Sequence, residues 1–254
     1  PRVRFNQPYS CIDVRPGLST EILPEIDWER HKSILWLDYI EPLKGYMFKD
    51  MATFFNRAVS GSVFVISINV DLKDETEART TKEKIKKRLE RDVDVKKRIR
   101  SSILRDDLTQ EGYYSILRDV MHEEILEILN LRNRTETSSK FSYKQLFNFV
   151  YKDGQTMLSV GGILYNEKDS DKIAKMAFER LEFVRNGKKY FEIHAPHLTN
   201  REIHALDKYL PKFNSDVKVK NEALEKLKGV VSQDAIEKYA KVYRYFPVFE
   251  EANS

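Results

Sequence analysis

Asp38 and Tyr39 directly follow an apolar run, Ser33-Ile34-Leu35-Trp36-Leu37, and Asn69 closes a second run, Ser62-Val63-Phe64-Val65-Ile66-Ser67-Ile68. A carboxylate at such an exit can orient a ligand amine or accept a proton from a hydroxyl nucleophile, provided it lies within hydrogen-bond reach. Tyr39 can stack on a purine or a substrate ring, and Glu41 supplies a second carboxylate whose distance from Asp38 the sequence does not fix. Each residue also has a plainer explanation. Asp38 could cap the helix that follows Pro42, favoured by its dipole, and an aromatic residue at a strand end can simply pack.

These side chains do chemistry only if the chain delivers them to one place. The run at 33–39 is too short for a buried helix and rich in large side chains, which predicts a central strand. After Pro42, Met47, Met51, Phe54, Phe55, Ala58 and Val59 recur at helical spacing until Ser60-Gly61 stops them. Two buried strands joined by one helix make a right-handed parallel crossover, and ligands of such sheets sit beyond the carboxyl ends of the strands. Asp38, Tyr39 and Asn69 are expected on that edge. Upstream, Tyr9 to Val14 reads as a short strand with Cys11 as a buried small hydrophobe, and Ser19 to Leu23 as a brief helix ended by Pro24. The resulting alternation of strand and helix is the rhythm of an α/β domain.

From Asp71 the character changes. Residues 79–105 carry twelve Lys or Arg against four Asp or Glu, with Ile85, Leu89, Val93, Ile99 and Ile103 at intervals. This predicts a long charged helix broken near Asp92–Asp94, either a solvated helix laced with charge pairs or a basic arm for nucleic acid or a protein partner. No aromatic residue interrupts the run, so stacking on single-stranded bases is unsupported there. Residues 113–131 read as an amphipathic helix. Phe141 to Tyr165 reads as an antiparallel pair about the Asp153-Gly154 turn, with Gly161-Gly162 marking a bulge or close backbone approach. Ser170 to Leu181 reads as a helix, Asn186-Gly187 as the turn of a second hairpin between 182–184 and 190–193, and Thr199 with Glu202 as a capping box. Two further helices are expected near 220–228 and 233–245.

The 254 residues, 41% hydrophobic and 11% aromatic, suit one large globular domain or a domain with an appendage. The boundaries expected are a domain over 1–165, with a helical insertion at about 71–135, and a mixed helical and hairpin extension over 166–254. A net charge of +4 rules out a polycation, so any attraction to nucleic acid must come from a local patch. One cysteine excludes an internal disulfide, no apolar stretch has the length of a membrane span, and no basic-then-apolar leader opens the chain. The expectation is a cytoplasmic protein. His194, His197 and His204 lack cysteine or acidic companions at metal-site spacing, so no metal is expected.

With the strands placed, the stretch from Gly17 to Asn69 resembles the second half of a class I S-adenosylmethionine-dependent methyltransferase domain of Rossmann-like fold. The residues that carry the resemblance are Gly17-Leu18-Ser19, Leu23-Pro24, Leu37-Asp38-Tyr39 and Ser60-Gly61-Ser62-Val63. More narrowly, Arg4-Phe5-Asn6-Gln7-Pro8-Tyr9-Ser10-Cys11-Ile12 and Ile34-Leu35-Trp36-Leu37-Asp38-Tyr39 are similar to bacterial proteins called predicted O-methyltransferases. The resemblance covers about residues 4–165 and places the hairpin at 145–164 where the family has its terminal antiparallel strands. It implies a partial α/β sheet, S-adenosylmethionine as cofactor, Gly17, Leu18, Ser19, Asp38 and Asn69 on the cofactor side, and Asp38 and Tyr39 as catalytic residues.

The departures carry equal weight. Such enzymes grip the cofactor with a glycine-rich turn after one strand and hold its ribose with an acid after the next, yet no Gly-x-Gly occurs in this chain. Leu18 replaces the usual aspartate after Gly17, and Ile68-Asn69 replaces the Asp-Asn pair of metal-dependent relatives. The chain starts on Pro1 rather than Met. The missing half is therefore expected in a longer parent or another polypeptide, or else the fold has been kept without the cofactor. Two functions follow: O-methyl transfer, or a catalytically inactive subunit of this fold serving as a scaffold or nucleic-acid-binding component, for example in a bacterial defence or nucleic-acid-processing complex.

Overall fold

A computed structural model describes residues 2–7, 9–99, 108–136 and 139–245. In chain order the elements are α1 (Arg2–Phe5), α2 (Ser19–Ile22), β1 (Ile34–Asp38), α3 (Gly45–Arg57), β2 (Val63–Asn69), α4 (Thr81–Arg91), α5 (Val93–Arg98) and α6 (Gln110–Thr135). There follow β3 (Phe141–Asp153), β4 (Gln155–Asn166), α7 (Ser170–Lys175), β5 (Phe191–Ile193), α8 (Asn200–Asp207), α9 (Val217–Lys226) and α10 (Gln233–Val242). The five strands make one sheet in the order β1-β2-β4-β3-β5. β1 runs parallel to β2, with Asp38 beside Ser67, while β4 is antiparallel to both β2 and β3. This is the expected α/β architecture of parallel strands joined to an antiparallel hairpin, with β4 at the centre of the sheet and β3 between β4 and β5.

Side chains alternate across a sheet, so the register sorts them by face. Leu37, Phe64, Ile66, Ile68, Leu158, Val160 and Leu164 share the main core with Met47, Met51, Phe54 and Phe55 of α3 and Ile116, Val120, Ile125 and Leu129 of α6. On the opposite face Leu146 and Ile163 are covered by Ile173, Phe178 and Val184, whereas Ile34 and Trp36 of β1 stay open to solvent. The expectation of a central first strand is therefore corrected. Among the described residues β1 has a neighbour on one side only, and Ile34 and Trp36 are exposed at 81% and 62%. The Trp36 indole lies across the sheet and donates to Ser67 Oγ at 2.9 Å, and Ser67 Oγ meets Ser159 Oγ at 2.6 Å.

Gly161 and Gly162 are required by close approach. A Cβ on the first would collide with the carbonyl oxygen of Phe64, and on the second with that of Lys144. The bulge falls on the partner strand, between Gln145 and Phe147. Gly154 turns the hairpin at φ 69°, a backbone region that favours glycine.

The chain divides into two compact units, Pro1–Phe191 and Glu192–Ser254. The division lies later than the boundary expected after residue 165, because the 170–184 stretch packs on the sheet. Within the segment expected as an insertion, α6 is a core helix with a row of buried apolar residues from Tyr113 to Leu129. In the second unit, Leu206, Phe213, Ala223, Leu227, Ile236 and Tyr239 form a core of their own, and the Thr199/Glu202 capping box opens α8.

Several local expectations fail for identifiable reasons. Residues 9–16 form turns and coil rather than a strand, and Cys11 is exposed, not buried. No strand forms at 182–184; instead the buried amides of Gln145 and Asn148 donate to the carbonyl oxygens of Arg185, Gly187 and Lys188, holding that loop by side chains. The helix expected over 170–181 ends at Lys175, with Ala177 at φ 47° just beyond.

Candidate functional site

The carboxyl end of β1 gathers side chains from three neighbouring elements. Asp38 ends the strand as expected. Its side chain is exposed and makes no hydrogen bond or ion pair among the described residues. The helix-capping alternative does not hold: Asp92, at the α4–α5 junction, accepts the Gly45 N–H at 3.1 Å and serves the start of α3 instead. Burial works against ionisation of Asp92, but backbone N–H donors from Val95, Gly45 and Asp94 outweigh it and hold its carboxyl below the usual range.

Tyr39 points inward. Its hydroxyl donates to Asp50 Oδ2, and the same oxygen accepts from Ser19 Oγ at 2.6 Å. The two hydroxyls stand 3.5 Å apart, so two residues separated by twenty in sequence meet through one carboxylate. Burial, then the Asp50 carboxylate, raises the Tyr39 phenol well above its ordinary value. The Tyr39 and Tyr46 rings meet edge to face at 5.7 Å. Glu41 Oε2 accepts from Lys44 Nζ at 2.7 Å and from Tyr46 O–H at 3.2 Å. Lys44 holds the Glu41 carboxyl below its usual range, while burial and Glu41 push the Tyr46 phenol up to about 12.

Asn69 reaches the same end of the sheet and is buried there. Its amide group donates to Gln155 Oε1 at 2.5 Å and to the Ile40 carbonyl at 3.3 Å, and its Oδ1 accepts from the Asp71 N–H at 2.8 Å. The side chain therefore pins the two strand exits together. Gly17 and Leu18 lead into α2 on the approach to Ser19, with Leu18 exposed. The structure thus joins Ser19, Tyr39 and Asp50, leaves Asp38 exposed at the strand exit, and commits Asn69 to the loops.

Asp50 is the residue that sequence reasoning missed. It sits at the Met47, Met51, Phe54 spacing, so a lone acid inside the apolar stripe of α3 was the available signal. Among the described residues no group of three or more His, Cys, Asp or Glu side chains could hold a metal ion, and no helix is long and apolar enough to cross a membrane.

The basic arm is described as far as residue 99; its remainder, 100–105, lies outside the described residues. The expected break falls at Asp92, whose side chain accepts the N–H groups of Asp94 and Val95 to start α5. Arg88 and Arg91 pair with the buried Glu75 at 2.8 and 2.6 Å, Lys87 with Glu77 at 2.5 Å and Arg98 with Glu124 at 2.5 Å. Much of the arm's charge is thereby matched.

Neither a curated protein nor a solved structure matches the chain. A family model described as "Putative O-methyltransferase" matches residues 1–254. The mixed α/β sheet is consistent with that match, and the chain belongs to this O-methyltransferase family.

Proposed function

We propose that the protein takes part in S-adenosylmethionine-dependent O-methyl transfer at the exit of β1, with Asp38 orienting the acceptor hydroxyl and taking its proton. The observation that carries this reading is the contrast among neighbouring acids. Glu41 is held by Lys44 and Tyr46, and Asp50 by Tyr39 and Ser19, whereas Asp38 is exposed and unpaired among the described residues. A carboxylate left free at a strand exit of an α/β sheet is placed to meet a ligand.

The residues at this rim fit one side of the cofactor. Leu18 offers exposed apolar surface to a purine face, and Asp38 offers an acceptor for amine or hydroxyl donors. The glycine-rich turn and ribose-holding acid are not among this chain's residues, so the fit is to the purine face and the acceptor side alone. When bound, S-adenosylmethionine supplies an electrophilic methyl group on a sulfonium sulfur. Asp38 would take the hydroxyl proton as the oxygen–methyl bond forms and the sulfur–methyl bond breaks with its electron pair left on sulfur, and Tyr39 would stand on the α3 side of the strand exit. In such a displacement, holding the hydroxyl in line supplies much of the acceleration.

Calorimetric titration of S-adenosylmethionine into the protein tests this. Binding is expected, and Asp38→Ala should weaken it about tenfold or more, the worth of one charge-assisted hydrogen bond. Stability should change by less than about 0.5 kcal/mol, because the side chain is exposed and unpaired. Absence of binding, or equal affinity in the variant, would remove the proposal.

A second reading, a nucleic-acid-binding subunit, draws on Lys82, Lys86, Lys96 and Lys97, which stand exposed without carboxylate partners among the described residues. Duplex binding through them should weaken steeply as salt rises. Binding that is absent or insensitive to salt would dismiss this reading.

A further inference from the structure

Asp50 is a carboxylate where an apolar side chain would serve packing better. It is fully buried, on the face of α3 that carries Met47, Met51 and Phe54 into the core. Burying an acid there is unfavourable unless its oxygens are paired. One of them, Oδ2, takes both the Ser19 and the Tyr39 hydroxyl; the other, Oδ1, is buried without a partner among the described residues. Four-residue α2 and the loop after β1 share no backbone ladder, so this oxygen is a direct polar tie between them.

We infer that Asp50 is a positioning residue that fastens the Gly17–Ser19 turn to the exit of β1 and sets the Ser19 and Tyr39 hydroxyls side by side as one wall of the methyl-transfer site. Its purpose rests on the function proposed above; its geometry does not. The groups facing the Tyr39 phenol are Asp50 and Tyr46 on α3 and Ser19 on α2. Of these, Asp50 brings the full negative charge. Because both hydroxyls donate to the same oxygen, removing one leaves the other to satisfy it, and removing both strands a buried carboxylate.

The test is a double-mutant cycle on Ser19→Ala and Tyr39→Phe, read by chemical unfolding, which leaves Asp50 in place. The double variant should lose about tenfold more in its folding constant than the two single losses multiplied together. Additive losses would overturn the inference. A spectroscopic readout separates positioning from bulk packing. Wild type and Tyr39→Phe should show the same tyrosinate absorption up to alkaline unfolding, while Asp50→Asn should gain one phenol that titrates earlier and Asp50→Glu should not. An Asp50→Asn curve identical to wild type would equally overturn it. Asp50→Asn should also weaken S-adenosylmethionine binding, with no such change in an exposed control, Lys49→Ala. Unchanged affinity there would count against the positioning role. If wild type itself fails to bind, the proposed function falls, and the cycle and the titration still decide on Asp50.

Discussion

Asp38, Glu41 and Asp50 are gathered at one end of the sheet, and their neighbours give them different work: one free, one ion-paired, one buried under two hydroxyls. The strand exit at Asp38 and Tyr39 and the helix start at Ser19 were legible as places in the fold, because local patterns are strong there. Asp50 was not, because an apolar stripe at helical spacing is read as core and the acid within it as noise; only the fold shows that Ser19 and Tyr39 arrive there. His122 on α6 poses a separate question of charge. It lies half-buried with its ring 6.0 Å from that of Tyr143, and burial, then Arg118, pushes its pKa from 6.5 down to about 4. The unfolded chain therefore binds a proton between those values that the native chain refuses. Stability from this group is fully present above about pH 6.5 and is lost as pH falls toward 4. Urea midpoints measured across that window should fall with acidification, and His122→Gln should flatten this part of the fall.

Elements were legible in proportion to how far their own sequence decides them. β1, α3, β2 and the β3–β4 hairpin follow from short apolar runs, helical spacing and the Asp153-Gly154 turn. A strand at 9–14 or 182–184 needs a ladder partner that local pattern does not reveal, and at 185–188 the backbone is held instead by Gln145 and Asn148. Likewise, whether β1 is central or marginal depends on sheet order, which its own residues do not encode. The paired glycines of β4 make an element-scale prediction. Gly162→Ala drives a methyl group into the backbone of β3 at Lys144, a collision no rotamer change relieves. It should lower stability by about 2 kcal/mol or more, as overpacking against rigid neighbours does. Gly154→Ala meets no atom but adopts φ 69°, and should lose only about 1 kcal/mol. Comparing the two by chemical denaturation separates steric from conformational cost, and equal losses would show that β3 yields.

At the scale of the whole chain, the first unit is asymmetric. One face of its sheet is sealed by α3 and α6, while at β1 the other face and the strand's outer backbone remain unpaired among the described residues. A strand edge of this kind offers hydrogen-bonding groups to any segment that can lie alongside it. The two tryptophans of the chain fall on opposite sides of this asymmetry. Trp28 is 3% exposed and bonded to the Leu23 carbonyl, and Trp36 lies open on β1. Acrylamide should accordingly quench one emitting population and spare the other, and Trp36→Phe should leave only the shielded, blue-shifted component. The molecule thus carries a built-in optical gauge: a segment that settles along the open face of β1 should dim or recolour the light of a single indole.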